Sequence, residues 1–368
     1  MIKRARVIAF YLPQFHPIPE NDEWWGPGFT EWRNVATAKP LFRGHYQPRI
    51  PADLGFYDLR VPETRWAQAG LAKTHGVEGF CYWHYWFAGR RILERPFNEV
   101  LQLKEPDFPF CLAWANQTWT GIWHGLDDKT LIEQTYPGRH DYIAHFDALL
   151  PAFQDPRYIT VDGKPLFYVY MPQDLPSTHE FTDLWRELAL KAGLKGLYLV
   201  AERSVAWNAT SRGFDASVHT THLPPVKGWR PWSTPFARLE WEWHKRSGKF
   251  GKPAIYRYED VCESFVELAG PSPHVTQHAY LLPNWDNTPR SGRNGLVLHG
   301  STPELFQQQA RKVLNLGAQE PLEHRLVFLK SWNEWAEGNY MEPDLRFGRA
   351  YLEALRDEVY ADQDLRPQ

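Results

Sequence analysis

The chain has 368 residues with 41 Lys and Arg against 44 Asp and Glu, a net charge of -3. That balance gives no general electrostatic pull toward nucleic acid or anionic lipid, and the length is ample for a large core. With 43% hydrophobic and 23% charged residues it reads as a soluble globular protein, and no run of about 18 apolar residues offers a membrane span.

The opening "RVIAFYL" (6–12) is the first expected strand. The apolar run that starts at Val7 is too short for a signal-peptide core and ends in Pro13, so the expected location is cytoplasmic. Further strands are expected at 77–86, 109–116, 165–171, 196–202, 215–220, about 275–282 and 325–332. These are β-branched or aromatic runs bounded by Gly and Pro, as buried parallel strands require. Helical patterns at 61–76, 179–193 and 301–317 lie between them, with proline near the start of the first and last and glycine at or near each end. Eightfold strand–helix alternation predicts an α/β fold, one TIM-type (β/α)8 barrel over residues 1–368. The chain exceeds the ~250 residues typical of that fold, so the βα loops must be long, chiefly 13–60 and 221–257.

In such a barrel the chemistry gathers at the C-terminal ends of the strands. The first strand runs into Tyr11, Gln14 and His16, and the second ends in Trp83, His84, Tyr85 and Trp86. The third brings Trp114, Asn116, Gln117 and Trp119, and the fourth Tyr170 and Asp174. Glu202 ends the fifth, and His219 and His222 follow the sixth. After the seventh comes "NWDNTPR" (284–290) with Asp286 and Asn287, and after the eighth "SWNEWAEGNYMEPD" (331–344) with Trp332 and Asn333. Glu31 lies in the aromatic-rich 13–60 loop.

Aromatic residues make up 15% of the chain, with 18 Trp, many flanked by Asn, Gln, His and Glu. Flat plates with polar neighbours suit a cleft for an oligosaccharide or polysaccharide. Several of these residues also have ordinary structural readings. His84 equally suits a satisfied core histidine, Asn116 and Gln117 a loop cap, and Asp286 an Asx turn before Pro289. Glu31 equally suits a helix cap. No His-Glu-x-x-His or Cys-x-x-Cys pattern calls for a metal, none of the motifs calls for a cofactor, and the three cysteines suit buried thiols.

Glu334 and Glu337 carry the sharpest chemical signal. Their i, i+3 spacing places both carboxyls on one side of a helical turn, directly after the last strand. Glycosidic cleavage commonly needs two carboxyl groups, and two adjacent ones push one pKa up to make an acid. A solvated helix start is the alternative.

"FYLPQFHP", "WWGPGFTEW", "GFCYWHYWF", "AWANQTW", "PNWDNTPR", "STPELF" and "SWNEWAEGNYMEPD" together resemble the bacterial WbsX-type proteins. These are described both as polysaccharide-antigen glycosyltransferases and as glycoside hydrolase family 99-like proteins. More distantly, "WNEWAEG" is similar to the family 99 endo-α-mannosidases, which are eight-stranded α/β barrels. The resemblance implies that Glu334 deprotonates the sugar 2-hydroxyl to give a 1,2-anhydro sugar. Glu337 then corresponds to the residue that protonates the leaving oxygen and later activates water. It implies a retaining hydrolase of α-linked mannosyl- or rhamnosyl-type glycans. A transferase or transglycosylase of surface-polysaccharide assembly is the alternative, and a non-catalytic glycan-binding module is a third.

Overall fold

The computed structural model describes residues 3–121, 130–202, 208–218, 253–262 and 276–360. Eight parallel strands close into a barrel: β1 Arg6–Tyr11, β2 Val77–Phe87, β3 Phe110–Trp114, β4 Lys164–Val169, β5 Tyr198–Glu202, β6 Ala216–Val218, β7 Gln277–Leu281 and β8 Leu326–Leu329. Each pairs with its neighbours in sequence order. The ring closes through β1, where Ala9 stands opposite both Leu329 of β8 and Phe80 of β2. The expected strands and barrel are thus present. His219 and His222, most of the 221–257 loop and the start of the seventh expected strand lie outside the described residues.

Helices Pro62–Thr74, Arg95–Leu103, Arg139–Phe153, Thr178–Lys191 and Pro303–Leu316 lie between the strands. Their starts show the local chemistry that places them. Ser177 Oγ accepts from the Glu180 amide at 3.2 Å, and Thr302 Oγ1 accepts from the Leu305 amide at 3.3 Å. Alternation is not strict everywhere. The described part of the short β5–β6 connection holds only a 3-10 turn, Thr210–Arg212.

The pleat decides what each strand residue touches. Phe10, Trp83, Tyr168 and Phe328 meet inside the barrel, with Phe10 stacked on Trp83 at 4.8 Å and 8°. Their neighbours one residue away point outward into the helical layer. His84 pairs with His145 at 2.8 Å, and Trp114 packs on His145 and Phe181. Trp114 is fully buried there.

Trp114→Leu is therefore expected to act as a core truncation, costing about 2–4 kcal/mol. Denaturant unfolding should show this loss, while binding by the remaining folded protein is unchanged.

Candidate active site

A cleft of about 360 Å3 opens at the C-terminal ends of the barrel strands. Its floor is Trp83, Tyr85, Ala115 and Tyr170, the inward-pointing continuation of β2, β3 and β4. The 13–60 loop contributes Gln14, Trp25 and Glu31. The segment after β3 adds Gln117 and Trp119, and the segment after β7 adds Trp285, Asn287 and Arg290. Lys330, Glu334 and Glu337 complete it.

The acid pair sits on a hairpin, not a helix. Asn333–Glu334 pairs antiparallel with Asn339–Tyr340, and Trp335–Glu337 between them form a 3-10 turn. With three residues per turn, positions i and i+3 eclipse, so Glu334 and Glu337 share a face. The turn is fixed from behind. Ser331 Oγ accepts from the Glu334 amide at 3.0 Å, and the Asp286 amide donates to the Glu337 carbonyl at 2.7 Å. Arg49 Nη1 donates to the Gly338 carbonyl at 3.0 Å. Gly338 has φ 53, and a Cβ on it would lie 2.7 Å from the Asp286 Cβ. Only glycine suits both the left-handed backbone and that approach.

Arg290 is the centre of the charge arrangement. Its Nε donates to Glu31 Oε2 at 3.1 Å, Nη1 to Glu337 Oε1 at 2.5 Å and Nη2 to Glu334 Oε2 at 3.1 Å. One guanidinium thus serves three carboxylates with its fork of donors. Burial works against the Arg290 charge, but Glu31, Glu337 and Glu334 outweigh it. Burial pushes the Glu334 carboxyl up to about 8; Glu337 adds to the rise and Arg290 opposes it.

Of the expected site residues, Gln14, Glu31, Trp83, Tyr85, Tyr170, Asn287, Glu334 and Glu337 line this cleft. The others do not. His84 and Trp114 belong to the helical layer because they occupy outward pleat positions. Tyr11 also points outward, packing on Tyr82 and donating to Gln68 at 2.7 Å. His16 is buried outside the cleft, and burial pulls its imidazole down to about 4. Asn116 clamps backbone: its Oδ1 accepts from the Met171 amide and its Nδ2 donates to the Met171 carbonyl. Asn333 does the same for Leu12, accepting from its amide at 2.7 Å and donating to its carbonyl at 3.0 Å. Trp332 is buried against Phe80. Asp286 makes an Asx turn, its Oδ1 accepting from the Thr288 amide and hydroxyl, while Oδ2 faces His45 and Gln47.

Gln117 and Trp119, also expected at the end of the third strand, line the cleft as well, whereas Arg290, Trp25, Trp285 and Lys330 are cleft residues that strand-end reasoning missed. Arg290 was visible as the one basic residue of "NWDNTPR". Its role needed the knowledge that three acids converge on it. Among the described residues no group of three or more His, Cys, Asp or Glu is placed to hold a metal ion, and no helix is long and apolar enough to cross a membrane.

The model of the family described as Glycosyltransferase WbsX matches residues 7–355, and the chain belongs to that family. It is 39% identical over 365 residues to the protein WxcX of Xanthomonas campestris pv. campestris (strain B100). The alignment covers 98% of this chain and 50% of WxcX, so the chain spans half the length of that relative. Among solved structures, a glycoside hydrolase-like protein superposes with a TM-score of 0.59 at 14% identity, covering 98% of this chain and 94% of its own. The GH99 endo-alpha-mannosidase from Bacteroides thetaiotaomicron superposes with a TM-score of 0.56 at 13% identity, covering 98% and 97%. These likenesses establish a shared barrel fold.

The raised Glu334 carboxyl has a thermodynamic consequence. The folded state holds that proton more tightly than the unfolded chain, so its contribution is present at low pH and is lost as pH rises toward about 8. Glu334→Gln removes this loss. The melting temperature of the variant relative to wild type is expected to rise steadily from about pH 5 to about pH 9. A pH-independent difference would show that the Glu334 carboxyl is not raised.

Proposed function

We propose that the cleft breaks α-glycosidic bonds of mannosyl- or rhamnosyl-type glycans with retention, Glu334 and Glu337 acting together. The observation that carries this reading is the two acids held side by side on one arginine, with Trp83, Trp25, Trp119 and Trp285 around them. Aromatic plates bind the apolar faces of sugar rings and leave the hydroxyls to polar groups at the rim.

In this reading Glu334, ionised, takes the proton of the sugar 2-hydroxyl as O2 attacks C1. Glu337 gives its proton to the leaving glycosidic oxygen, and the C1–O bond breaks. Water then enters, Glu337 takes a proton from it, and the water oxygen bonds C1. As it does so the C1–O2 bond breaks, and O2 regains its proton from Glu334. Each carboxyl ends as it began. A carboxyl raised to about 8 suits the first step, because a base poised near the working pH is stronger than an ordinary carboxylate. Arg290 keeps both acids aimed into the cleft and limits the rise that two adjacent carboxyls would otherwise cause.

Transfer to a sugar acceptor instead of water is the second reading. It is favoured by the family's description and by Trp25 and Trp119, which add aromatic plates to the cleft besides Trp83 and Trp285. Both readings use the same activated sugar.

The test is incubation of the purified chain with α-mannosyl and α-rhamnosyl oligosaccharides, with and without nucleotide sugars, followed by mass spectrometry. Shortened glycans support hydrolysis, and lengthened ones transfer. Glu334→Gln is expected to slow turnover by about 10²–10⁴. Glu337→Gln should impair substrates with poor leaving groups far more than activated aryl glycosides. A 2-deoxy substrate should not turn over, and its normal turnover would discard the anhydro-sugar route. Full activity in both Gln variants would remove the acids from the chemistry.

A further inference from the structure

A second cavity, of about 190 Å3, lies on the other side of the acid turn and shares no lining residue with the cleft. The stretch Asn284–Asn287 is the partition. Trp285 and Asn287 face the cleft, while Asn284 and Asp286 face the second cavity. This alternation is that of an extended chain. Tyr340 completes the wall, its ring stacked on Trp335 of the acid turn at 3.9 Å.

The chemistry of the lining restricts the occupant. Two arginines, Arg49 and Arg346, stand against two aspartates, Asp286 and Asp344. The acids are already satisfied. Asp286 receives Gln47, Thr288 and His45, and Asp344 receives the Tyr340 hydroxyl and the Arg346 and Phe347 amides. His45 adds no charge. Its Nδ1 accepts from the Leu41 amide, so its one ring proton lies on Nε2 toward Asp286. The lining is thus electrically balanced, which disfavours an ionic ligand. Tyr46, Tyr340, Phe347 and Tyr351 add aromatic rings to the lining, with Arg49 over Tyr46 and Tyr340 and Arg346 over Tyr46 and Phe347. Against them, Asn284 is buried, lines the cavity, and has an Oδ1 with no hydrogen-bond partner among the described residues. A buried acceptor left in that state is costly and calls for a donor from an occupant. At ~30 Å3 per water the volume holds about six waters, or one pyranose ring.

We propose that this cavity is a second carbohydrate site, taking one neutral monosaccharide unit whose hydroxyl donates to Asn284 Oδ1. The choice of a sugar among neutral polar ligands rests on the glycan reading of the cleft. The size, balance and unmet acceptor do not. Because Arg49 and Asp286 line the cavity and also hold the backbone of Glu337 and Gly338, a sugar bound there would touch the supports of the acid turn.

The test is crystallographic, on the full chain soaked with methyl α-mannoside or methyl α-rhamnoside. The expected result is a sugar in the second cavity with a hydroxyl on Asn284 Oδ1, lost in Asn284→Leu while any sugar in the cleft persists. Arg346→Ala, at an exposed rim position that supports no strand, serves as a second variant and should lower the occupancy. Sugar in the cleft alone, with waters in the cavity, overturns the second site and leaves the proposed function standing. Sugar in the cavity alone supports the second site and counts against the cleft. Sugar in neither place, or occupancy unchanged in both variants, overturns the second site.

Discussion

Arg290 is the constraint on which the site depends. Three carboxylates brought together out of water repel one another strongly, and a single guanidinium donating to all three offsets this. The four residues arrive on three different stretches of chain. Glu31 comes from the loop after β1, Arg290 from the segment after β7, and Glu334 and Glu337 from the hairpin after β8. The barrel makes this possible because β1 pairs with β8, and β8 with β7, so their C-terminal ends are neighbours. Losing Arg290 would leave three like charges together, and they could stay buried only by taking up protons. The arginine thus couples the placement of the acids to their ionisation.

The third acid of the terminal motif shows how environment divides similar residues. Glu342 is buried behind the cleft and receives Trp335 Nε1 at 2.6 Å, Gln68 Nε2 at 2.7 Å and the Tyr57 hydroxyl at 2.9 Å. Burial pushes its carboxyl up to about 7, while the bonds from Trp335, Gln68 and Tyr57 pull the other way. It pins the indole of the acid turn to the Pro62–Thr74 helix and the 13–60 loop. Two acids of the motif therefore face the cleft, and the third holds the turn that presents them. Neither indole of the motif lines the cleft: Trp332 is buried against Phe80, and Trp335 donates to Glu342.

Much of the barrel was legible in the sequence because its signals are local. Apolar runs of strand length, proline and glycine punctuation and helical periodicity place the strands and three helices within three residues at each end. Site residues were less legible because strand ends were read without the pleat. In "GFCYWHYWF", Trp83 and Tyr85 face inward to the cleft, while His84 and Trp86 face the helical layer. Period-2 alternation alone would have separated them. Asn116, Asn333 and Asp286 stand at strand ends where a sugar contact is expected, but each is occupied by backbone or turn hydrogen bonds that only the fold brings within reach. Arg290 escaped because its partners are some 44 to 259 positions away in sequence, and no local pattern reports convergence at that range.

The central claim is that the paired acids cleave by a double displacement at the sugar carbon, and the configuration of the first product reports this directly. Proton NMR of the anomeric region, followed from the first minutes of cleavage of an α-linked oligosaccharide, separates the possibilities before mutarotation. The account predicts that the α-anomer of the released sugar appears first and the β-anomer grows in later. Initial release of the β-anomer would contradict it, because inversion requires a water between the acids and a single displacement.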